Sequence, residues 1–178
     1  MNFRFSKLEV YDAQTILDDF NQLSYSNQIS FQVNFESNIA HLQTIYKTGN
    51  ISNEGGTKIV LESSYETIPK IYKWQIQFEQ EKEYYNILTQ NGFSAILATT
   101  SFHCFYAIQE KLKPLSYDSE IPKKLCDVIY DSGAAQFGTD KHGNVKILDF
   151  ENVNLDILGL QPTKNLIKIF IEKNNAKD

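Results

Sequence analysis

The stretch from Asp131 to Glu151, DSGAAQFGTDKHGNVKILDFE, constrains this chain more than any other. Asp140-Lys-His-Gly143 is a turn sequence, and the short runs on either side of it are expected to pair as an antiparallel hairpin. Acids bracket that hairpin: Asp131 on the loop before it and Asp149 at the end of its second strand. Both ends of a hairpin emerge on one side, so the two carboxylates are expected to converge where a metal–phosphate group would fit.

The rest of the sequence reads as a globular α+β chain. Its 178 residues suit one compact domain, or two small lobes sharing a cleft, and 42% hydrophobic with 13% aromatic residues can build a core. A net charge of −5 supplies no broad field for phosphate backbones, which argues against nucleic-acid binding. MNFRFSKLEV lacks the apolar core of a secretory signal. No window approaches the roughly 20 apolar residues of a membrane span. Cys104 and Cys126 show no metal-binding spacing and are expected to be buried thiols in a reducing, cytoplasmic setting, in the chain's own cell or in one that receives it.

Along the chain, Asp12 can cap a first helix, and ISFQVNF (29–35) alternates as a half-buried strand. A second strand is expected over His41–Tyr46, although Ile39, Leu42, Ile45 and Tyr46 also fit a helix. GNISNEGG (49–56) reads as a turn or loop and TKIVLE (57–62) as a third strand. From residue 66 strand and helix patterns compete; beyond Glu79, EQEKEYYNILTQ is helical and Asn91-Gly92 stops it. Phe93–Thr99 and Phe102–Gln109 are expected to pair, with Pro114 ending the second run. Ser119 is expected to cap a short helix containing Leu125 and Cys126, and the tail NLIKIFIEK to be helical. Trp74 is expected in the core, and His41, His103 and His142 in turns or at the surface.

This order of elements (strands, a helix with a mid-helix Glu, two strands, a connector, a helix, an acidic loop, and a hairpin ending in Asp-Phe-Glu) resembles the protein-kinase-like fold over roughly residues 28–152. The similarity is to very short bacterial effector and phage-type kinases or pseudokinases. Gln136 follows Asp131 by five residues and Asp149 follows Gln136 by thirteen, the family's spacing of catalytic Asp, metal-binding Asn and metal-binding Asp. The resemblance implies a small bilobal architecture. Residues 28–110 would form an antiparallel N-lobe sheet with its helix, and 111–178 a minimal helical C-lobe, within one compact domain, 1–178.

It also implies roles. Asp149, helped by Gln136, would hold Mg²⁺ on ATP, and Asp131 would orient the attacking hydroxyl. Backbone groups of Glu110, Lys111 and Leu112 would meet adenine, and Glu81 would fix a phosphate lysine. Charged mid-helix residues such as Glu81 ordinarily face solvent. Lys58 is the candidate lysine, with Lys47 the other option; if VLE occupies the lysine position, Glu62 replaces it.

Departures from the family are plain. His-x-Asp is Ile129-Tyr130-Asp131, the Asn is Gln136, the glycine of Asp-Phe-Gly is Glu151, no GxGxxG occurs, and the loop after the first expected strand is Glu36-Ser-Asn-Ile39. The expected function is that of a degenerate kinase-like protein, a pseudokinase or weak ATP-dependent phosphotransferase acting largely through contacts with another protein. The alternative is a non-catalytic immunity or antitoxin-type protein that inhibits a partner, consistent with the acidic balance and abundant Asn, Gln and Tyr. Neither reading involves nucleic acid or a membrane.

Overall fold

The computed structural model describes residues 37–47, 50–54 and 57–175. The helix expected from Asp12 and the strand expected over 29–35 lie outside these residues. The described chain is α+β, with a five-stranded antiparallel sheet in the order β1-β2-β3-β5-β4 and a three-stranded sheet in the order β6-β7-β8. It divides into two compact units, residues 1–79, 100–109 and 169–178 forming one, and 80–99 and 110–168 the other. Among the described residues no helix is long and apolar enough to cross a membrane.

The first unit carries the larger sheet. Residues 37–46 are helical (α1), so the strand expected over 41–46 is corrected. Asn38, Leu42 and Tyr46, one helical turn apart, are all buried on one face, and Ile45 is largely exposed. The segment expected as loop over 49–56 contains a strand, β1 (Ile51–Glu54), which pairs with β2 (Lys58–Leu61). β2 in turn pairs with β3 (Thr67–Tyr72), with Ile59 opposite Ile71. Leu42, Tyr46, Ile59, Leu61, Ile71 and Trp74 form one core cluster. Each such side chain contributes on the order of 1.5–3 kcal/mol by leaving water.

Competition between strand and helix after residue 66 resolves at residues 73 and 74, where β3 has ended and helix α2 (Gln75–Gln90) has not begun. Phe78, near the start of α2, meets Tyr72, Phe102 and Phe105 edge-on at ring separations of 5.3, 6.0 and 5.6 Å. These contacts hold the turn between β4 (Thr100–Phe102) and β5 (Tyr106–Glu110), where Phe105 has a φ of 61°. A bulky residue takes that left-handed conformation at a cost, offset here by the ring packing. The strand expected over 93–99 is corrected: Gly92, at φ 85°, follows the end of α2, residues 94–96 form a 3₁₀ turn, and the strand that pairs with β5 is β4, with Phe102 in it and not in the second run. Cys104 lies in the β4–β5 turn and is exposed, and Cys126 is half-buried, so the expectation of two buried thiols is corrected for Cys104.

The second unit holds the hairpin. β6 (Lys113–Pro114), β7 (Phe137–Thr139) and β8 (Val145–Ile147) pair antiparallel, and Asp140–Asn144 turns the chain as expected. Pro114 lies inside β6 rather than ending the preceding run, which stops at Glu110. Ser119 sits within a 3₁₀ turn (Asp118–Glu120), and Pro122 is the residue that precedes the short helix α3 (Lys123–Cys126). The tail is helical, α4 (Lys164–Asn175), with Thr163 Oγ1 accepting the Leu166 N–H at its start.

β6 and β7 approach so closely that a Cβ at Gly138 would lie 2.5 Å from Leu112 Cβ and 3.2 Å from the Lys113 carbonyl. Gly138→Ala is therefore expected to destabilise the protein by about 1–3 kcal/mol through overpacking. Urea unfolding followed by circular dichroism checks this, and an unchanged midpoint would mean that the two strands can part without cost.

Candidate functional site

The acidic loop is fastened to the segment that follows the hairpin. Tyr130 N–H donates to the Asn152 carbonyl and Asn154 N–H to the Val128 carbonyl, each at 2.8 Å, around an antiparallel bridge between Ile129 and Val153. Leu148 N–H donates to the Gln136 carbonyl at 2.8 Å, closing the other end. The side chain of Phe150, wholly buried, packs on Tyr85 at 4.9 Å and anchors the 3₁₀ turn Phe150–Asn152. Within the loop, Gly133 N–H donates to Asp131 Oδ1 (3.2 Å) and Ala134 N–H to Asp118 Oδ1 (2.7 Å).

These ties bring three of the expected residues together. Gln136 Nε2 donates to Asp131 Oδ2 at 3.1 Å. Asn152 Nδ2 donates to Gln136 Oε1 at 3.2 Å and to Asp149 Oδ2 at 3.3 Å. A carboxylate accepts and does not donate, so the amides can point only one way. Asn152 must turn its NH₂ to Asp149, Gln136 its oxygen to that NH₂, and Gln136 its own NH₂ to Asp131. Asp131 is exposed, whereas Gln136, Asp149 and Asn152 are half-buried.

The available donors are hard oxygens, a carboxylate and an amide carbonyl. That set suits Mg²⁺, which commonly takes one or two protein oxygens and completes its shell with water and phosphate. Among the described residues no group of three His, Cys, Asp or Glu side chains forms a self-sufficient metal cage. The oxygens of Asp149 and Gln136 are the ones that could hold such a cation.

The remaining expected residues fall as follows. Glu81 is 1% exposed on α2, not on the solvated face that a mid-helix charge ordinarily takes. Lys58 opens β2 with its ammonium 5.6 Å from the centre of the Tyr72 ring, a cation–π contact within the first unit. Glu110 closes β5, and its N–H already donates to the Thr99 carbonyl at 2.8 Å. Its Oε1 accepts from Thr99 N–H (2.7 Å) and from Lys146 Nζ (2.6 Å). Lys111 is exposed and Leu112 is buried against Gly138. His103 stacks on Tyr106 and shares a hydrogen bond with Ser101, and His142 lies in the hairpin turn, as expected of structural histidines. Tyr84, buried on α2, is pushed up to about 12 by burial, and then by nearby Tyr130, Glu151 and Asp156, so it keeps its phenolic proton.

Sequence reasoning missed two residues. Asn152 is the link between Asp149 and Gln136; its signal is the spacing of three from Asp149, one 3₁₀ turn. Lys70 is the buried lysine within β3. It was not singled out because the residues from 66 onward fit both strand and helix patterns. No protein-family model matches this sequence, and no curated protein matches it either.

The hairpin turn is a pH-sensitive element. Hydrogen bonds from the Asn144 side chain and backbone and from His142 N–H, with Lys146 nearby, hold Asp140 well below the usual carboxylate range despite opposing desolvation. For Lys146, burial pulls downward, but the hydrogen bond and charge of Glu110, followed by Asp140, outweigh it and raise the ammonium. A carboxyl lowered on folding stabilises the fold above its ordinary value of 3.8 and loses that contribution as pH falls through the folded value. A raised lysine stabilises below its ordinary 10.5 and loses it as pH climbs through the folded value. The stability gap between wild type and Asp140→Ala, measured by urea unfolding, is therefore expected to be constant near neutrality and to narrow below about pH 4.

Proposed function

We propose that this chain is a reduced protein-kinase-like protein, a pseudokinase or weak phosphotransferase that takes up ATP with Mg²⁺ and works largely through contacts with another protein. The observation that carries this reading is the hydrogen-bonded string Asp131–Gln136–Asn152–Asp149, which gathers the two acids and the amide at the family's spacing. The order of elements adds support. A hairpin of two strands is joined by a segment containing Gly55-Gly56, which themselves lie outside the described residues. Among the described residues, β3 bears a buried lysine, α2 bears a buried glutamate, and β4 and β5 precede the acidic loop.

In this reading Lys70 supersedes Lys58 as the phosphate lysine. The family carries that residue inside a strand and not at its start; Lys70 lies within β3 and is buried, whereas Lys58 begins β2. Bound Mg²⁺ would supply charge neutralisation on the nucleotide phosphates. Asp149 and Gln136 offer the oxygens for it. Asp131, exposed and oriented by Gln136 and Gly133, positions the acceptor hydroxyl and takes up its proton. Since the Glu110 N–H is engaged with Thr99, adenine recognition falls to the Glu110 carbonyl and to the backbone of Lys111 and Leu112. Glu151, in place of the family's glycine, begins no flexible segment: it sits in the 3₁₀ turn that Phe150 anchors.

Thermal unfolding with ATP and MgCl₂ tests this. At about a hundredfold excess over Kd, binding stabilises by about 2.7 kcal/mol, an upward shift on the order of 5–10 °C for a chain of this size. Asp149→Ala is expected to abolish the shift, and Asp131→Asn to keep it while removing any phosphate transfer. An equal shift in Asp149→Ala, or none in wild type, rules the nucleotide site out.

A further inference from the structure

We propose that Tyr117 and Tyr130, at the two ends of the acidic loop, form a docking surface for an arginine-bearing segment of a partner protein. The inference rests on the kinase-like reading for its setting, since it names the partner that the acidic loop would meet; its geometry is that of this chain alone. The two tyrosines are 69% and 68% exposed, more than any other large hydrophobic side chain among the described residues. Tyr130 directly precedes Asp131. Tyr117 precedes Asp118, whose Oδ1 accepts the Ala134 N–H at 2.7 Å and so joins that segment to the far end of the loop. The chain from Tyr130 to Ala134 spans at most about 14 Å, so both tyrosines border one small patch.

Both backbones are fixed although both side chains project. The Ser116 and Tyr117 N–H groups donate to Glu120 Oε2 at 2.8 and 3.3 Å, and the Glu120 N–H donates to the Tyr117 carbonyl at 3.1 Å. The Tyr130 N–H donates to the Asn152 carbonyl at 2.8 Å, beside Ile129, which is buried and bridged to Val153. Alternation along the chain sends Ile129 inward and Tyr130 outward. A ring on an ordered backbone is a ready anchor, because covering it costs little further freedom. Charge decides the occupant. Residues 115–135 contain Asp118, Glu120, Asp127 and Asp131 against Lys123 and Lys124. Glu151 and the exposed Asp156 act on Tyr84 together with Tyr130, so they belong to the same neighbourhood. Among the described residues Asp118, Asp131 and Asp156 form no ion pair. Arginine answers both features at once: its guanidinium plane stacks on a tyrosine ring while its N–H fork pairs with a carboxylate.

Fluorescence anisotropy of the full chain with a labelled peptide of alternating arginine and glycine tests this. Wild type is expected to bind it, more weakly as salt is raised, and several-fold more tightly than the same peptide with lysine for arginine. Tyr117→Ala and Tyr130→Ala are each expected to weaken binding about tenfold. Tyr130→Phe, which keeps the ring, is expected to bind as wild type does, as is Tyr65→Ala, at an exposed ring of the other unit. Circular dichroism melting confirms folding, and the two alanine positions are independent, so either folded variant decides. No binding by wild type, equal binding of the lysine peptide, or folded alanine variants that bind like wild type overturn the inference, as does an equal loss in Tyr65→Ala. The ATP thermal shift of wild type separates the two ideas. A shift dependent on Asp149 without peptide binding defeats the docking surface alone, and tyrosine-dependent peptide binding without any ATP shift defeats the kinase-like reading alone.

Discussion

The short backbone zipper between residues 128–130 and 152–154 is what the acidic site depends on. Two 2.8 Å hydrogen bonds and one residue bridge join the loop before the hairpin to the turn after it. Without that seam, Asp131 and Asp149 would be linked only through the hairpin strands, each three residues long, and the loop's other ties. With it, the residues on either side have little freedom, and the amides of Gln136 and Asn152 can span the gap between the acids. Gly138 serves the same end from the opposite side, letting β6 and β7 close against Leu112. On the proposed reading, preorganisation of this kind would leave little to reorganise when a ligand binds.

Electrostatics divides the hairpin into two ends of different character. At the turn, Asp140, Asn144 and His142 form a local knot of hydrogen bonds, and Lys146 ties that knot to Glu110 at the close of β5. At the open end the Gln136 and Asn152 amides donate to Asp131 and Asp149 and orient them.

The hairpin and its bracketing acids were legible in the sequence because turn chemistry and spacing are local. Helix α2 beyond Glu79, its stop at Asn91-Gly92, and the helical tail were legible for the same reason. Residues 41–46 misread because Leu42 and Tyr46 satisfy both periods, and only tertiary burial of Asn38, Leu42 and Tyr46 decides between them. Asn152 escaped because a polar residue one turn beyond an acid is common, and its value comes from Gln136, sixteen positions earlier.

Cys104 has a practical consequence. Its thiol is exposed in the β4–β5 turn, while its carbonyl is held by the Asn38 side chain at 2.5 Å. A maleimide fluorophore should react there ahead of the half-buried Cys126, marking the larger sheet at a backbone position already pinned in place. Trp74, buried in that sheet's core cluster, is a built-in energy donor for such a dye. The native chain thus comes equipped for optical measurement of how its sheet responds to added compounds, with no engineered residue required.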